Sequence, residues 1–206
     1  MINMNADGMK TRPYDSPKRA ASAAETGRRI LQATLDLFKE GPLGDVTLNA
    51  VADRAGVTVQ TVIRRFGDRM GLIHAAAEFA SAEVAGQRGA VPPGDVPAAV
   101  DNLLEHYETT GALALKLLGE EDTSPLLAEI TEGARRLHRQ WCERVFAPFL
   151  EGGFLPDGQD RNRRLAQFVA LCDVYTWKML RLDAGLSRDQ VALSLLEMLE
   201  PFTRRP

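Results

Sequence analysis

Apolar residues along this chain recur at intervals of three and four, and no stretch alternates strictly between apolar and polar positions. A spacing near 3.6 places such residues on one face of a helix, whereas strands need a period of two, so the pattern predicts an all-α protein. Turn chemistry separates the helical stretches at Gly41-Pro42 with Gly44-Asp45, Gly56, Gly67-Asp68, Pro92-Pro93-Gly94, Gly152-Gly153 with Pro156-Asp157-Gly158, and Gly185. The first two dozen residues are polar, hold two prolines and carry no apolar stripe, which predicts a disordered arm over residues 1–22.

The first helix is expected to start near Thr26 and to stop before Gly41, with Ile30, Leu31, Thr34, Leu37 and Phe38 on one face. Thr47 is a natural N-cap for a short second helix in which Leu48, Val51, Ala52 and Ala55 stand at i, i+3, i+4 and i+7, and Gly56 ends it. Thr58 caps a third helix and Asp68 a fourth that includes Leu72, Ile73, Ala76 and Phe79. Further helices are predicted over 95–109, 112–119, 124–151, 159–183 and 187–202, the last opened by a capping box of Ser187 and Gln190. This divides the chain into the arm, a three-helix helix-turn-helix head over 23–70, and a helical-bundle body of about six helices over 71–206.

Two helices of two to three turns joined by a tight glycine turn suit DNA reading, the first crossing the backbone and the second entering the major groove. On the third helix Val62 and Phe66 lie on one arc, Gln60, Thr61, Arg64 and Arg65 on the other, and Val59 and Ile63 at the border. Gln60 and Arg64, at i and i+4, project together. Glutamine suits the N6 and N7 atoms of adenine, and arginine the O6 and N7 atoms of guanine. Thr61, Arg65, the Thr47 hydroxyl and the start of the fourth helix at Arg69 are placed for phosphate oxygens, with Thr58 at the helix start; Val59 and Ile63 are placed to touch a thymine methyl. Lys39 and Arg54 read as ordinary solvent-facing charges.

The run from Ile30 to Thr34 with Leu37-Phe38, then Thr47-Leu48 and Val51-Ala52, then Ala55 through Arg69, resembles the DNA-binding head of the TetR family of one-component regulators. The resemblance covers roughly residues 28–76. It implies a homodimer whose two heads bind half-sites of a near-palindromic operator, coupled to a helical body that senses a small molecule. The chain departs from the family pattern at four positions: Gln60 replaces a small residue, Ile63 a phosphate-binding tyrosine, Arg65 a histidine and Arg69 a lysine.

Composition changes the picture at three points. The formal net charge of −3 argues against nucleic acid as an average, but residues 10–74 hold 11 Lys and Arg against 7 Asp and Glu, while residues 75–206 hold 14 against 20. The positive charge belongs to the first third, and in the arm Lys10, Arg12, Lys18 and Arg19 are candidates for phosphate or minor-groove contact, weighed against a solvated tail. Cys142 and Cys172 are too few and too far apart for a disulfide framework and read as small core residues. No apolar run long enough for a membrane span and no apolar signal core is present, so a cytoplasmic protein is expected.

The last two helices are apolar on more than one face, which predicts a dimer interface through Phe168, Cys172, Met179, Leu195, Leu199 and Phe202. Aromatic and polarisable residues of the middle helices, Phe79, His106, Tyr107, Trp141, Phe146 and Tyr175, are candidates to line a pocket for an apolar or aromatic effector, against the plainer reading of each as core. The three histidines stand singly, without carboxylate or thiol at ligand spacing, so neither a metal nor another cofactor is expected. The leading function is a ligand-responsive, sequence-specific DNA-binding regulator, with a helical adaptor or small-molecule binder as the alternative. A helical-bundle enzyme is disfavoured by the lack of a phosphate loop, GxSxG or HExxH.

Overall fold

The computed structural model describes residues 16–150 and 158–204, and all regular structure among them is helical. The chain divides into two compact units, one ending at Leu72 and one beginning at Ile73.

In the first unit α1 runs Ser16–Glu40, α2 Leu48–Ala55 and α3 Val59–Phe66, and α4, Arg69–Gly89, begins there. Helix α1 starts ten residues ahead of Thr26, so the expected arm is helical from Ser16 on; its residues 1–15, with Lys10 and Arg12, lie outside the described residues. The sequence AASAAE explains the difference, because alanine is the strongest helix former even where no apolar stripe marks a buried face. Ile30, Ala33, Thr34 and Phe38 turn inward, and the Thr34 hydroxyl is satisfied by donating to the Ile30 carbonyl at 2.9 Å. Val51, Ala52 and Ala55 are buried where α2 packs on α1 and α3. Gly56 takes the left-handed conformation, φ 64°, and its N–H closes α2 on the carbonyls of Ala52 and Asp53.

The second unit holds the rest of α4, then α5 Val96–Glu120, α6 Pro125–Val145, α7 Gly158–Leu171, α8 Val174–Lys178 and α9 Arg188–Thr203. Its core joins Val100, Leu103 and Leu104 of α5, Trp141, Cys142 and Val145 of α6, Leu165 and Phe168 of α7, and Leu195 and Leu199 of α9. Phe146 and Phe168 stack face to face, with centroids 4.2 Å apart, at its centre.

Three helix boundaries differ from expectation for local reasons. The two helices predicted over 95–109 and 112–119 are one, α5: Gly111 does not break it but makes room for Trp177, whose ring carbon would lie 2.6 Å from a Cβ at that position. The helix predicted to reach 151 stops at Val145, and a 3-10 turn containing Pro148 follows. The helix predicted over 159–183 is interrupted: the Asp173 carboxylate accepts from the Tyr175 N–H and opens α8 as a fresh helix, which runs on into a π-turn, Met179–Asp183. The Ser187–Gln190 capping box opens α9.

Candidate nucleic-acid interface

Helix α3 is short, about 12 Å from its eight residues, and depends on its surroundings for stability. Val62 is fully buried on its inner side. At its start the Thr58 hydroxyl accepts from the Thr61 N–H at 3.2 Å and lies 2.9 Å from the Thr61 hydroxyl, so these two side chains form the cap. The Thr47 hydroxyl caps α2 by accepting from the Ala50 N–H at 3.1 Å, which leaves its own O–H to donate outward.

On the opposite side Gln60, Arg64 and Arg65 are exposed. Ile63 is 37% exposed, and Val59 and Thr61 are half-buried between the arcs. Neither Gln60 nor Arg64 hydrogen-bonds to a described residue. Arg65 reaches back over α1, where a Cβ on Gly27 would lie 2.8 Å from its Nε; the glycine leaves the space the guanidinium occupies. Arg69 corrects an expectation. Its Nε donates to the Val46 carbonyl at 2.7 Å and its Nη2 to that of Leu43, so the side chain ties down the connection between α1 and α2 and is not extended toward solvent. The Asp68 carboxylate accepts from the Gly71 N–H at 2.8 Å and caps α4 beside it.

Two nearby basic residues of this unit are paired. Arg54 makes two hydrogen bonds to the Glu40 carboxylate, at 2.8 and 2.6 Å, which hold that carboxyl below the usual carboxylate range. Lys39 sits 3.8 Å from Asp36. The contrast leaves Gln60 and Arg64 as the polar pair aimed outward from the base-reading face predicted for α3.

In the second unit the residues predicted to line a pocket do not converge on one cavity. Phe146 is fully buried in the aromatic stack, Tyr175 is 50% exposed, and Phe79 is half-buried. His106, Tyr107 and Trp141 do lie around one point, the guanidinium of Arg88: its Cζ is 5.6 Å from the Tyr107 ring and 5.1 Å from that of Trp141. Burial, and then the charge of Arg88, push the His106 pKa down to about 3, so its imidazole is neutral. Tyr107 is raised by burial and donates to the Cys172 carbonyl at 2.9 Å. Sequence reasoning missed Arg88, which reads as a routine basic residue near a helix C-terminus. The signal was there in spacing, since positions 81, 84 and 88 continue the inward stripe of α4.

An open groove of about 440 Å³ lies between α4 and α6, lined by His74, Ala77, Glu78 and Ser81 on one side and by residues from Glu129 to Gln140 on the other. None of the predicted pocket residues lines it.

The predicted dimer face is also corrected. Phe168, Cys172, Leu195 and Leu199 are at most 1% exposed within the single chain, because their stripes build its own core. Phe202 is half-buried, edge-on to Phe168 and beneath Arg164. Only Met179, 56% exposed, faces outward, since the break at Asp173 and the π-turn shift the register of the stripe that began at Leu165. The exposed apolar residues of this region are Tyr175, Met179, Leu182, Leu193 and Met198. Both cysteines are buried, and burial raises the Cys142 thiol, which keeps it protonated and unreactive.

Residues 30–76 match the family model of bacterial regulatory proteins of the tetR family. The chain is 28% identical over 186 residues, 88% of its length and 86% of the relative's, to the HTH-type transcriptional repressor KstR of Rhodococcus jostii (strain RHA1). It shares its fold with a transcriptional regulator from Rhodococcus sp. Rha1 (TM-score 0.63, 19% identity, 87% of this chain and 99% of that one). A regulator from Pseudomonas aeruginosa PAO1 has the same fold (TM-score 0.64, 13% identity, 93% of each chain), as does one from Saccharomonospora viridis solved in complex with choline (TM-score 0.57, 16% identity, 86% and 96%). The capped two-helix arrangement, the outward pair on α3 and the match over residues 30–76 agree, and this stretch of the chain is similar to the DNA-binding head of bacterial regulatory proteins of the tetR family.

Proposed function

We propose that this protein is a ligand-controlled transcriptional repressor that binds a near-palindromic operator as a homodimer. The unit ending at Leu72 reads DNA, and the unit from Ile73 binds the effector and dimerises. The observation that carries the reading is the outward projection of Gln60 and Arg64 from a helix capped by Thr58 and seated on Val62. With α3 in the major groove these two side chains read base edges, Ile63 and Val59 offer apolar contact, and Arg65 and Thr47 grip phosphates. The N–H groups at the start of α4 add to that grip, while the Arg69 side chain stiffens the platform from within.

Tyr175, Met179 and Leu182 follow one another at spacings of four and three, and with Leu193 they leave apolar surface uncovered in the single chain. A second copy covers it, which pairs two recognition helices for half-sites about 34 Å apart, one turn of the duplex. Effector binding in the body favours a dimer in which that spacing is lost.

Selection of bound duplexes from a random pool tests the reading. The expected result is one enriched, near-palindromic motif with two half-sites a helical turn or a multiple apart. Recovery of no motif, with binding insensitive to salt, contradicts operator recognition.

A further inference from the structure

Arg88 is a buried cation without an acid to meet it. It lies in the last turn of α4 and is 7% exposed. Nη1 donates to Nδ1 of His138 at 3.1 Å. That bond needs the lone pair of Nδ1, so the imidazole proton sits on Nε2 and is donated to the Val169 carbonyl at 3.1 Å. The Tyr107 and Trp141 rings flank the guanidinium, and His106 beside them is neutral. None of these neighbours is an anion, and no described carboxylate pairs with Arg88. Arg135, Arg181 and Arg188 of the same unit have theirs in Glu121, Glu108 and Asp101. The Arg88 Nε is buried and has no hydrogen-bond partner.

A desolvated charge left unpaired is costly, and proteins keep one chiefly where something else completes it. We propose that Arg88 is the counter-cation of the effector, which is therefore an apolar or aromatic carboxylic acid. The Nε edge of a guanidinium, Nε with its neighbouring Nη, takes a carboxylate through two parallel hydrogen bonds, and His138 holds the fork from its other end. Tyr107 and Trp141, beside the guanidinium, are the apolar neighbours of the rest of the molecule. The groove between α4 and α6 runs along the same two helices that carry Arg88 and His138. This inference rests on the ligand-controlled reading above and adds the chemistry of the ligand.

Calorimetric titration of the full chain with 2-naphthoate and dodecanoate, against the uncharged 2-naphthamide and dodecanamide, is the test. The acids are expected to bind at least tenfold more tightly than their amides. Arg88→Met, which keeps length and removes charge, abolishes that preference and leaves the melting temperature of the unliganded protein unchanged or higher; Arg88→Lys, which keeps charge and loses the fork, retains part of the preference. The proposal is overturned by equal affinity for acids and amides, by a preference that survives Arg88→Met, by a large drop in melting temperature on Arg88→Met, or by no acid binding at about 1 mM. Wild-type protein is titrated in parallel with its selected duplex. Absent duplex binding there counts against the operator reading, whereas intact duplex binding without acid preference counts against Arg88 alone.

Discussion

Arg64 on α3 and Arg88 on α4 both lack an acidic partner among the described residues, yet they stand in opposite surroundings. Arg64 is exposed, and water hydrates its charge. Arg88 is buried among rings, where hydration is lost and a hydrogen bond to His138, two aromatic rings and the C-terminal end of α4 offset part of the cost. Several other arginines meet an acid: Arg54 with Glu40 in the first unit, Arg135, Arg181 and Arg188 with theirs in the second. An unpaired cation on a surface is ordinary and becomes informative through its geometry, here the i, i+4 partnership with Gln60. An unpaired cation in a core is informative through its energy.

Changes in the two units should therefore register in different measurements. The largest effect is expected from Phe168→Ala. This side chain is fully buried and stacked on Phe146, so its loss should lower unfolding stability by about 3–5 kcal/mol. A mere weakening of self-association at unchanged protomer stability, measured by sedimentation beside denaturant melts, would instead place Phe168 in an interface.

Next comes the acid dependence of the buried side. His106 has a folded pKa of about 3 against 6.5 when unperturbed. Below 6.5 the unfolded chain takes up a proton that the folded chain refuses, so the stability is fully present above that value and is lost progressively as pH falls toward 3. Going from pH 7 to pH 5 should cost about 2 kcal/mol at this one group. His106→Gln, which takes up no proton in this range, should flatten the denaturant-melt profile by that amount, and an unchanged slope would mean that His106 is not held neutral between Arg88 and His138.

On the exposed side Arg64→Ala should weaken operator binding by about 1–3 kcal/mol and relax the preference at one base pair, with no change in melting temperature. A uniform loss across all duplex sequences would reassign Arg64 to the phosphates. The smallest effect belongs to Arg65→Ala: a modest, sequence-independent loss, with the slope of log affinity against log salt shallower by about 0.9. Gel shifts across a salt series separate the two arginines.

Local rules carried much of this protein. The caps at Thr47, Thr58, Asp68 and Ser187, the glycine stop at Gly56 and the polar arc of α3 follow from short-range spacing and side-chain chemistry, because each depends on residues within a turn or two of one another. The likeness of residues 30–76 to the tetR-family head was legible for the same reason, since a short two-helix unit must keep its turn and its outward residues in register. What the single chain left undecided depends on long-range contacts. Gly111 looks like a helix break until Trp177, sixty-six positions away, is seen to fill its missing Cβ. Phe168, Cys172, Leu195 and Leu199 look equally suited to a partner chain or to the chain's own interior, because periodicity marks a face as apolar without saying what covers it. The sequence offers Arg69 to phosphates and leaves Arg88 unremarked, and only the tertiary structure shows one holding the loop before α2 through the carbonyls of Leu43 and Val46 and the other enclosed by α4, α5 and α6. Periodicity within a helix sets which side chains share a face; packing between helices decides what that face meets, and so whether a charge or a ring is structure or site.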